Sequence, residues 1–214
     1  SNTEATVEST VDRVNSDLLD IRQIFDAANY NIVQEFDISS EKFAEQFSLL
    51  YEVNSDKIES LALYGNEGRL IASEPVAVEK ENIDVKGQDW YKNAESAIEN
   101  VHFSTPHIQE LFEDGAYRYQ WVVSLSSYVD VNKGEIPETG VLLLDMKYSV
   151  IRDVMKQIND CSGGIYYYLT SQDGEMIYHP RGTELNRGLF EENSLDAAKY
   201  EDGTYEIRSG GQNE

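Results

Sequence analysis

Residues 63–71 read LYGNEGRLI, and residues 169–177 read LTSQDGEMI. In both stretches an apolar segment leads into a polar turn that ends in an acidic residue followed by glycine, and a second apolar segment follows. That order is typical of two β-strands joined by a short turn. Because the pattern occurs twice, the sequence predicts two similar α+β units in tandem. The second unit is expected to be incomplete where the sequence stops at Glu214.

The spacing of apolar residues outside the two hairpins predicts the remaining elements. They are a helix that Ser39 or Ser40 caps, a helix from Gln88 through Ile98, strands over 117–129 and 140–146 joined by a turn over 131–139, and a helix over 148–158. We therefore expect a stalk helix over 1–37, a first unit over 38–147, and a linking helix with a partial second unit over 148–214.

The first segment carries a regular apolar seam. Spacings of four and three alternate along it, which predicts one long helix with a heptad pattern. The seam consists of Val7, Val11, Val14, Leu18, Ile21, Phe25, Ala28 and Ile32. Such a seam packs either along its own domain or against the same helix of a second subunit.

Charge is the most extreme feature of the composition. The chain has 17 Lys and Arg against 40 Asp and Glu, which gives a net charge of −23. A surface of this sign repels phosphates, so nucleic acid is excluded as a partner. Aromatic residues make up 11% of the chain, with fourteen Tyr, and this content favours a folded domain over a disordered one.

Cysteine content and hydropathy give limited information about the compartment. Cys161 is the single cysteine, so neither an intramolecular disulfide nor a cysteine-based zinc site can form. No apolar run approaches the length of about 20 residues that a membrane span needs. Ser1 and Asn2 resemble the remnant of a removed tag, which indicates a fragment cut from a larger protein.

Catalytic and metal-binding motifs are not found. The sequence has no glycine-rich phosphate loop, no Gly-x-Ser-x-Gly elbow and no His-Glu-x-x-His pattern. His102 and His107 lie beside a proline at a spacing that suits no helical metal pair. We therefore expect no catalytic residues, no metal and no cofactor. A secreted hydrolase remains a separate hypothesis, which predicts a pair of carboxylates in an open cleft.

A candidate ligand pocket follows from aromatic and polar residues between the predicted helix over 88–98 and the strand over 140–146. Aromatic walls with a few polar groups are typical of small-molecule sites. The candidates are Trp90, Tyr91, His107, Tyr117, Tyr119, Trp121, Ser124, Ser126 and Asp145. Asp145 stands out because an acid directly after four apolar residues must either leave the core or meet a cation. Alternatively, Trp90 and Trp121 are core residues and Asp145 caps the next helix at Ser149.

The order of these elements resembles the double Cache sensor domains of bacterial membrane receptors. Three stretches carry the resemblance: residues 89–94 (DWYKNA), residues 140–146 (GVLLLDM), and the hairpin around residues 173–180 (DGEMIYHP). The resemblance is closest to sensor histidine kinases of Gram-positive bacteria. It implies two PAS-like units, each an antiparallel sheet with helices, along a long N-terminal helix outside the cell membrane. It also implies flanking transmembrane helices that this fragment lacks. It also implies a ligand in the membrane-distal unit and a homodimer formed through that helix.

The resemblance leaves the ligand and the output open. Amino-acid-sensing members of the family carry an Arg two residues before the Trp, where this sequence has Gln88. Asp145 stands where such members place the acid that meets the ligand ammonium, and Arg118 is a possible substitute for the missing Arg. A sugar, an amine or an amino acid therefore remain candidate ligands. The output is expected to be a histidine kinase, with a chemoreceptor or a cyclic-dinucleotide enzyme as the alternative.

Overall fold

The computed structural model describes residues 2–97, 100–113, 120–160, 163–172, 174–182, 200–201 and 205–211. The chain divides into two compact units, one formed by Asp20–Lys147 and the other by Ser1–Leu19 with Tyr148–Glu214. Each unit contains one antiparallel sheet with helices, so the predicted α+β class is confirmed. No helix among the described residues is both long enough and apolar enough to cross a membrane.

The N-terminal helix buries its apolar seam. Helix α1 spans Asn2–Asp26, and a π-helical segment, Ala27–Val33, continues it. The seam residues that are less than a tenth exposed are Val14, Leu18, Ile21, Phe25, Ala28 and Ile32. Because the chain's own atoms cover these side chains, this part of the seam packs along its own chain rather than against a second subunit.

The larger unit contains a six-stranded sheet. Its strands are β1 (Ile58–Gly65), β2 (Leu70–Glu74), β3 (His102–Phe103), β4 (His107–Ile108), β5 (Trp121–Lys133) and β6 (Ile136–Lys147). The strand order is β2-β1-β6-β5-β3, and β4 also pairs with β5. The predicted first hairpin is confirmed as β1 and β2. Helices α2 (Glu41–Val53) and α3 (Asp89–Ser96) complete the unit.

Two local predictions in this unit are decided by the structure. Ser40, rather than Ser39, caps α2, since its Oγ accepts a hydrogen bond from the backbone N–H of Phe43 at 3.1 Å. The turn predicted over 131–139 is wrong, because β5 and β6 stay paired to Lys133 and Ile136. Pro137 is tolerated in β6 because β1 pairs with that strand only as far as Gly140.

The described part of the smaller unit contains helix α4 (Tyr148–Asp160) and four strands: β7 (Ile165–Ser171), β8 (Met176–Tyr178), β9 (Tyr200–Glu201) and β10 (Tyr205–Gly211). Their order is β8-β7-β10-β9. The predicted second hairpin is confirmed as β7 and β8. The turn glycines of the two hairpins share a left-handed backbone, with φ of 79° at Gly68 and 85° at Gly174. This shared conformation supports the internal repeat, because glycine adopts it without steric cost.

Candidate functional site

A cavity of about 480 Å³ lies at the amino end of α3 in the larger unit. Its wall is formed by residues 88–90, residues 104–111 and Trp121. The volume falls within the range of about 300–1,000 Å³ that is usual for small-molecule sites. The cavity therefore has the size of a binding site for a metabolite rather than for a macromolecule.

Helix α3 is fixed to the sheet through its first turn. The hydroxyl of Ser126 donates a hydrogen bond to the carbonyl oxygen of Trp90 at 2.8 Å. The hydroxyl of the fully buried Tyr91 donates to the carbonyl oxygen of Gly65 at 2.9 Å. The Trp90 ring packs against the ring of Tyr64 at a centroid distance of 5.2 Å. These contacts hold Trp90 as a rigid part of the cavity wall.

A row of polar residues crosses the sheet beneath the cavity. Ser60 of β1 and Ser124 of β5 are both cross-strand partners of Asp145 on β6. Cross-strand partners in a sheet project their side chains from the same face. The three side chains are thus neighbours although they come from three separate strands, and all three are buried.

Two side chains of the cavity wall join this row by hydrogen bonds. Asp145 Oδ1 accepts from Ser124 Oγ at 2.5 Å, and Asp145 Oδ2 accepts from Gln109 Nε2 at 2.5 Å. Gln109 Nε2 also donates to Ser60 Oγ at 2.7 Å. His107 Nε2 lies 2.8 Å from Ser124 Oγ. Asp145, Ser124, Ser60, Gln109 and His107 therefore form one network, which we call the Asp145 network.

The proton positions in the Asp145 network depend on the charge of Asp145. Burial raises the pKa of this fully buried carboxyl, while the hydrogen bonds from Ser124 and Gln109 and the nearby His107 lower it. When Asp145 is ionised, the hydroxyl of Ser124 donates to it, so His107 Nε2 must donate to Ser124. When Asp145 is protonated, the two bonds can reverse direction, because a hydroxyl both donates and accepts.

The network also fixes how Gln109 presents its amide. Both known contacts of the side-chain amide nitrogen, to Asp145 and to Ser60, use its N–H donors. The backbone N–H of Gln109 donates to the carbonyl oxygen of Gln120 at 2.9 Å, which anchors the segment beside β5. The carbonyl oxygen Oε1 is thus the group of Gln109 that remains to accept a hydrogen bond from a molecule in the cavity.

The candidate residues from the sequence fall into distinct places. Trp90, His107 and Trp121 line the cavity. Asp145 and Ser124 lie beneath it in the Asp145 network, and Tyr91 and Ser126 fix α3 to the sheet. Tyr117 and Tyr119, together with Arg118, lie outside the described residues.

The structure decides between a structural role and a site role for Asp145, Trp121 and Trp90. Asp145 does not cap the helix at Ser149, since its oxygens accept from Ser124 and Gln109. Trp121 is not a core residue, because 53% of its surface is exposed. Trp90 does pack in the core, with 5% exposed, and its remaining surface borders the cavity.

Sequence reasoning did not identify Gln109 or Ser60 as site residues. Gln109 lies two positions after His107, a spacing that places alternate residues on one side of an extended segment. That spacing was a usable signal. Ser60 offered none, because a serine in a largely apolar strand is common and its pairing with Asp145 is set by the sheet register. Within the described residues, no group of three or more His, Cys, Asp or Glu side chains is placed to hold a metal ion.

The sequence of the chain matches a known protein family. A family model described as Cache domain matches residues 1–214. No curated protein is significantly similar to the chain.

Several solved structures share the fold. The ligand-binding domain of the Pseudomonas aeruginosa amino acid chemoreceptor PctC, in complex with GABA, has a TM-score of 0.67 and 17% identity, over 95% of this chain and 95% of that chain. The ligand-binding domain of the Pseudomonas fluorescens chemoreceptor CtaA, in complex with L-alanine, has a TM-score of 0.63 and 18% identity, over 96% and 93%. The sensory domain of the Campylobacter jejuni chemoreceptor Tlp3, with isoleucine bound, has a TM-score of 0.55 and 12% identity, over 98% and 92%.

Proposed function

The chain belongs to the Cache domain family, and from this premise we propose that it is the extracytoplasmic ligand-sensing domain of a membrane receptor. We further propose that the cavity at the amino end of α3 is its ligand site. The observation that carries the proposal is the position of Trp90, His107 and Gln109, which line the cavity while the last two belong to the Asp145 network.

The geometry suits binding better than catalysis. Both carboxylate oxygens of Asp145 are held by neutral donors, and the side chain is fully buried. A general base or nucleophile must reach the substrate, which a carboxylate enclosed in this way does not. Trp90 and Trp121 supply apolar ring surface, the usual wall of a binding pocket. We therefore propose a sensor that binds its ligand without turnover.

The network offers a route from the ligand to the sheet. A molecule that displaces Gln109 or His107 disturbs hydrogen bonds to Ser60, Ser124 and Asp145, which belong to β1, β5 and β6. Ligand binding shifts a receptor between two states only if the ligand contacts differ between them. We propose that the arrangement of the Asp145 network is one such difference.

The output of the receptor is a separate part of the proposal. The sequence resemblance favours a sensor histidine kinase, and the chemoreceptor origin of the solved structures named above favours a chemoreceptor as the second candidate. Phosphorylation of the full-length receptor by ATP would support the kinase, and its absence would support the chemoreceptor. We also propose a homodimer. Its contact would use another face of α1, because residues of the seam from Val14 to Ile32 are buried.

The ligand site is tested by thermal-shift screening with amino acids, sugars, amines and organic acids, followed by calorimetry on each hit. A true ligand raises the melting temperature by mass action. Trp121→Ala is expected to weaken binding about tenfold by removing an aromatic wall. Tyr30→Ala is the matched control, since Tyr30 is an exposed aromatic residue (60% exposed) outside the cavity wall. A ligand whose affinity is unchanged by both Trp121→Ala and His107→Ala would overturn the assignment.

A further inference from the structure

We propose that the cavity selects an organic cation without a carboxylate group, such as a primary amine, over the amino acid that carries the same side chain. This inference rests on the proposed function, because it names the ligand class of the same cavity. It follows from the charges, hydrogen-bond donors and aromatic rings that the described part of the wall presents.

The charged groups of the wall are acidic. Asp89 and Glu110 line the cavity, and Asp145 lies beneath it, whereas none of the described lining residues is Lys or Arg. A ligand carboxylate is bound in proteins chiefly by charge-assisted hydrogen bonds, most often from Arg. A carboxylate placed here would meet like charge, and no Lys or Arg among the described lining residues would pair with it. An ammonium group meets the opposite situation.

The amide side chains of the wall, Gln109 and Gln88, direct three of their four N–H donors at protein atoms. Gln109 Nε2 donates to Asp145 and to Ser60, and Gln88 Nε2 donates to the carbonyl oxygen of Asp84 at 3.4 Å. Both donors of the Gln109 amide are thus committed, whereas Gln88 keeps one N–H. The carbonyl oxygens of both side chains only accept hydrogen bonds, so they match the N–H donors of an ammonium group.

His107 does not restore a free donor. Its Nε2 lies 2.8 Å from Ser124 Oγ, and its Nδ1 lies 3.2 Å from the carbonyl oxygen of Ile108. A neutral imidazole makes both contacts when Nδ1 donates to Ile108 and Nε2 accepts from Ser124, and its ring contributes surface to the cavity. Trp90 and Trp121 add indole rings, whose faces attract cations more strongly than other aromatic side chains do.

The test compares each amine with the amino acid from which decarboxylation produces it. Tyramine is paired with tyrosine, putrescine with ornithine, and agmatine with arginine, and calorimetry measures each affinity at one pH and one ionic strength. We expect the amine to bind at least about tenfold more tightly than its amino acid in one or more pairs. An amino acid that binds as tightly as its amine in every pair that binds would overturn the inference.

Matched variants locate the charge that matters. Glu110→Gln is expected to weaken amine binding about two- to fivefold. Glu113→Gln removes the same charge from an exposed residue outside the cavity wall, and it should leave the affinity unchanged. Arg118→Gln should also leave amine binding intact or strengthen it. A large loss of amino acid affinity in Arg118→Gln would show that Arg118 holds the ligand carboxylate and would overturn the inference.

The outcomes separate this inference from the proposed function. If an amino acid binds more tightly than its amine and Trp121→Ala abolishes that binding, the cavity is a ligand site and only the ligand class is wrong. If a sugar binds and no amine does, the ligand class is again wrong. If no compound of any class binds, both proposals fail.

Discussion

The hydroxyl oxygen of Ser124 lies 2.5 Å from Oδ1 of Asp145, at paired positions of β5 and β6 that are 1% and 0% exposed. The hydroxyl is one of two groups that donate to this buried carboxyl, the other being the amide of Gln109. A buried carboxylate that loses a donor keeps its desolvation cost without the compensating bond. The stability of the larger unit therefore depends on this pair.

The first prediction concerns the Ser124 hydroxyl. Ser124→Ala should lower the free energy of unfolding by about 1.5–3 kcal/mol, the usual contribution of a hydrogen bond to a charged group. Ser127→Ala is the control, because Ser127 is also buried on β5 but its hydroxyl donates only to the carbonyl oxygen of Tyr128, at 3.3 Å. It should cost about 0.5–1.5 kcal/mol. Urea denaturation measures both. Equal costs would show that the Ser124–Asp145 bond adds nothing to stability.

The second prediction concerns the pH dependence that Asp145 confers. Burial raises its pKa in the folded chain above the ordinary value of 3.8, so the unfolded chain releases this proton more readily. The contribution of Asp145 to stability is therefore complete below about pH 3.8 and declines as pH rises through the folded-state pKa. An asparagine side chain at this position would not titrate. Its carbonyl oxygen can accept from Gln109, and its N–H can donate to Ser124 in place of the O–H of protonated Asp145.

Asp145→Asn should accordingly gain stability relative to the wild-type chain as pH rises. The measurement is urea denaturation of both proteins between about pH 4 and pH 8, with the difference in unfolding free energy plotted against pH. The other acidic groups are common to both proteins, so their titration cancels in the difference. A difference that moves in favour of the wild-type chain with rising pH would mean that hydrogen bonding outweighs burial at Asp145.

The third prediction concerns two glycines that face each other across β1 and β6. Gly65 and Gly140 are register partners, but a Cβ on Gly140 would collide with the carbonyl oxygen of Tyr64, whereas a Cβ on Gly65 would meet its nearest atoms at 3.7 Å. Gly140→Ala should therefore cost about 1–3 kcal/mol. Gly65→Ala should be neutral or stabilise by up to about 1 kcal/mol, because glycine weakens a strand. Thermal unfolding of the two variants checks the contrast, which disappears if β1 and β6 pair in another register.

The hairpins could be predicted from sequence because their signals are local. The turn of β1 and β2 and that of β7 and β8 each contain a glycine in the left-handed conformation, preceded by an acidic residue. Four or five adjacent residues determine such a turn. The cap of α2 was predictable only to within one residue, since Ser39 and Ser40 are both good caps and the structure selects Ser40.

The Asp145 network could be predicted only in part. Asp145 was conspicuous because it follows an apolar strand, but its partners Ser60 and Ser124 are distant in sequence and meet it through the pairing of β1, β6 and β5. Which residues pair across two strands cannot be read from the sequence of one strand alone. The same limit explains the error at 131–139, where Gly134 and Pro137 indicated a longer turn although β5 and β6 remain paired almost to the glycine.

The last prediction separates the two roles that the seam of α1 could play. Leu18 is 1% exposed and its neighbour Leu19 is 45% exposed, so the pair offers a buried and an exposed leucine on the same helix. If the seam packs along its own chain, Leu18→Ala should cost about 2–5 kcal/mol at any protein concentration, because it leaves a cavity in a packed core. Leu19→Ala should change stability by no more than about 0.5 kcal/mol. If instead the seam held two subunits together, the loss of unfolding free energy in Leu18→Ala would become smaller on dilution. Sedimentation would then show a dimer for the wild-type chain and a monomer for Leu18→Ala.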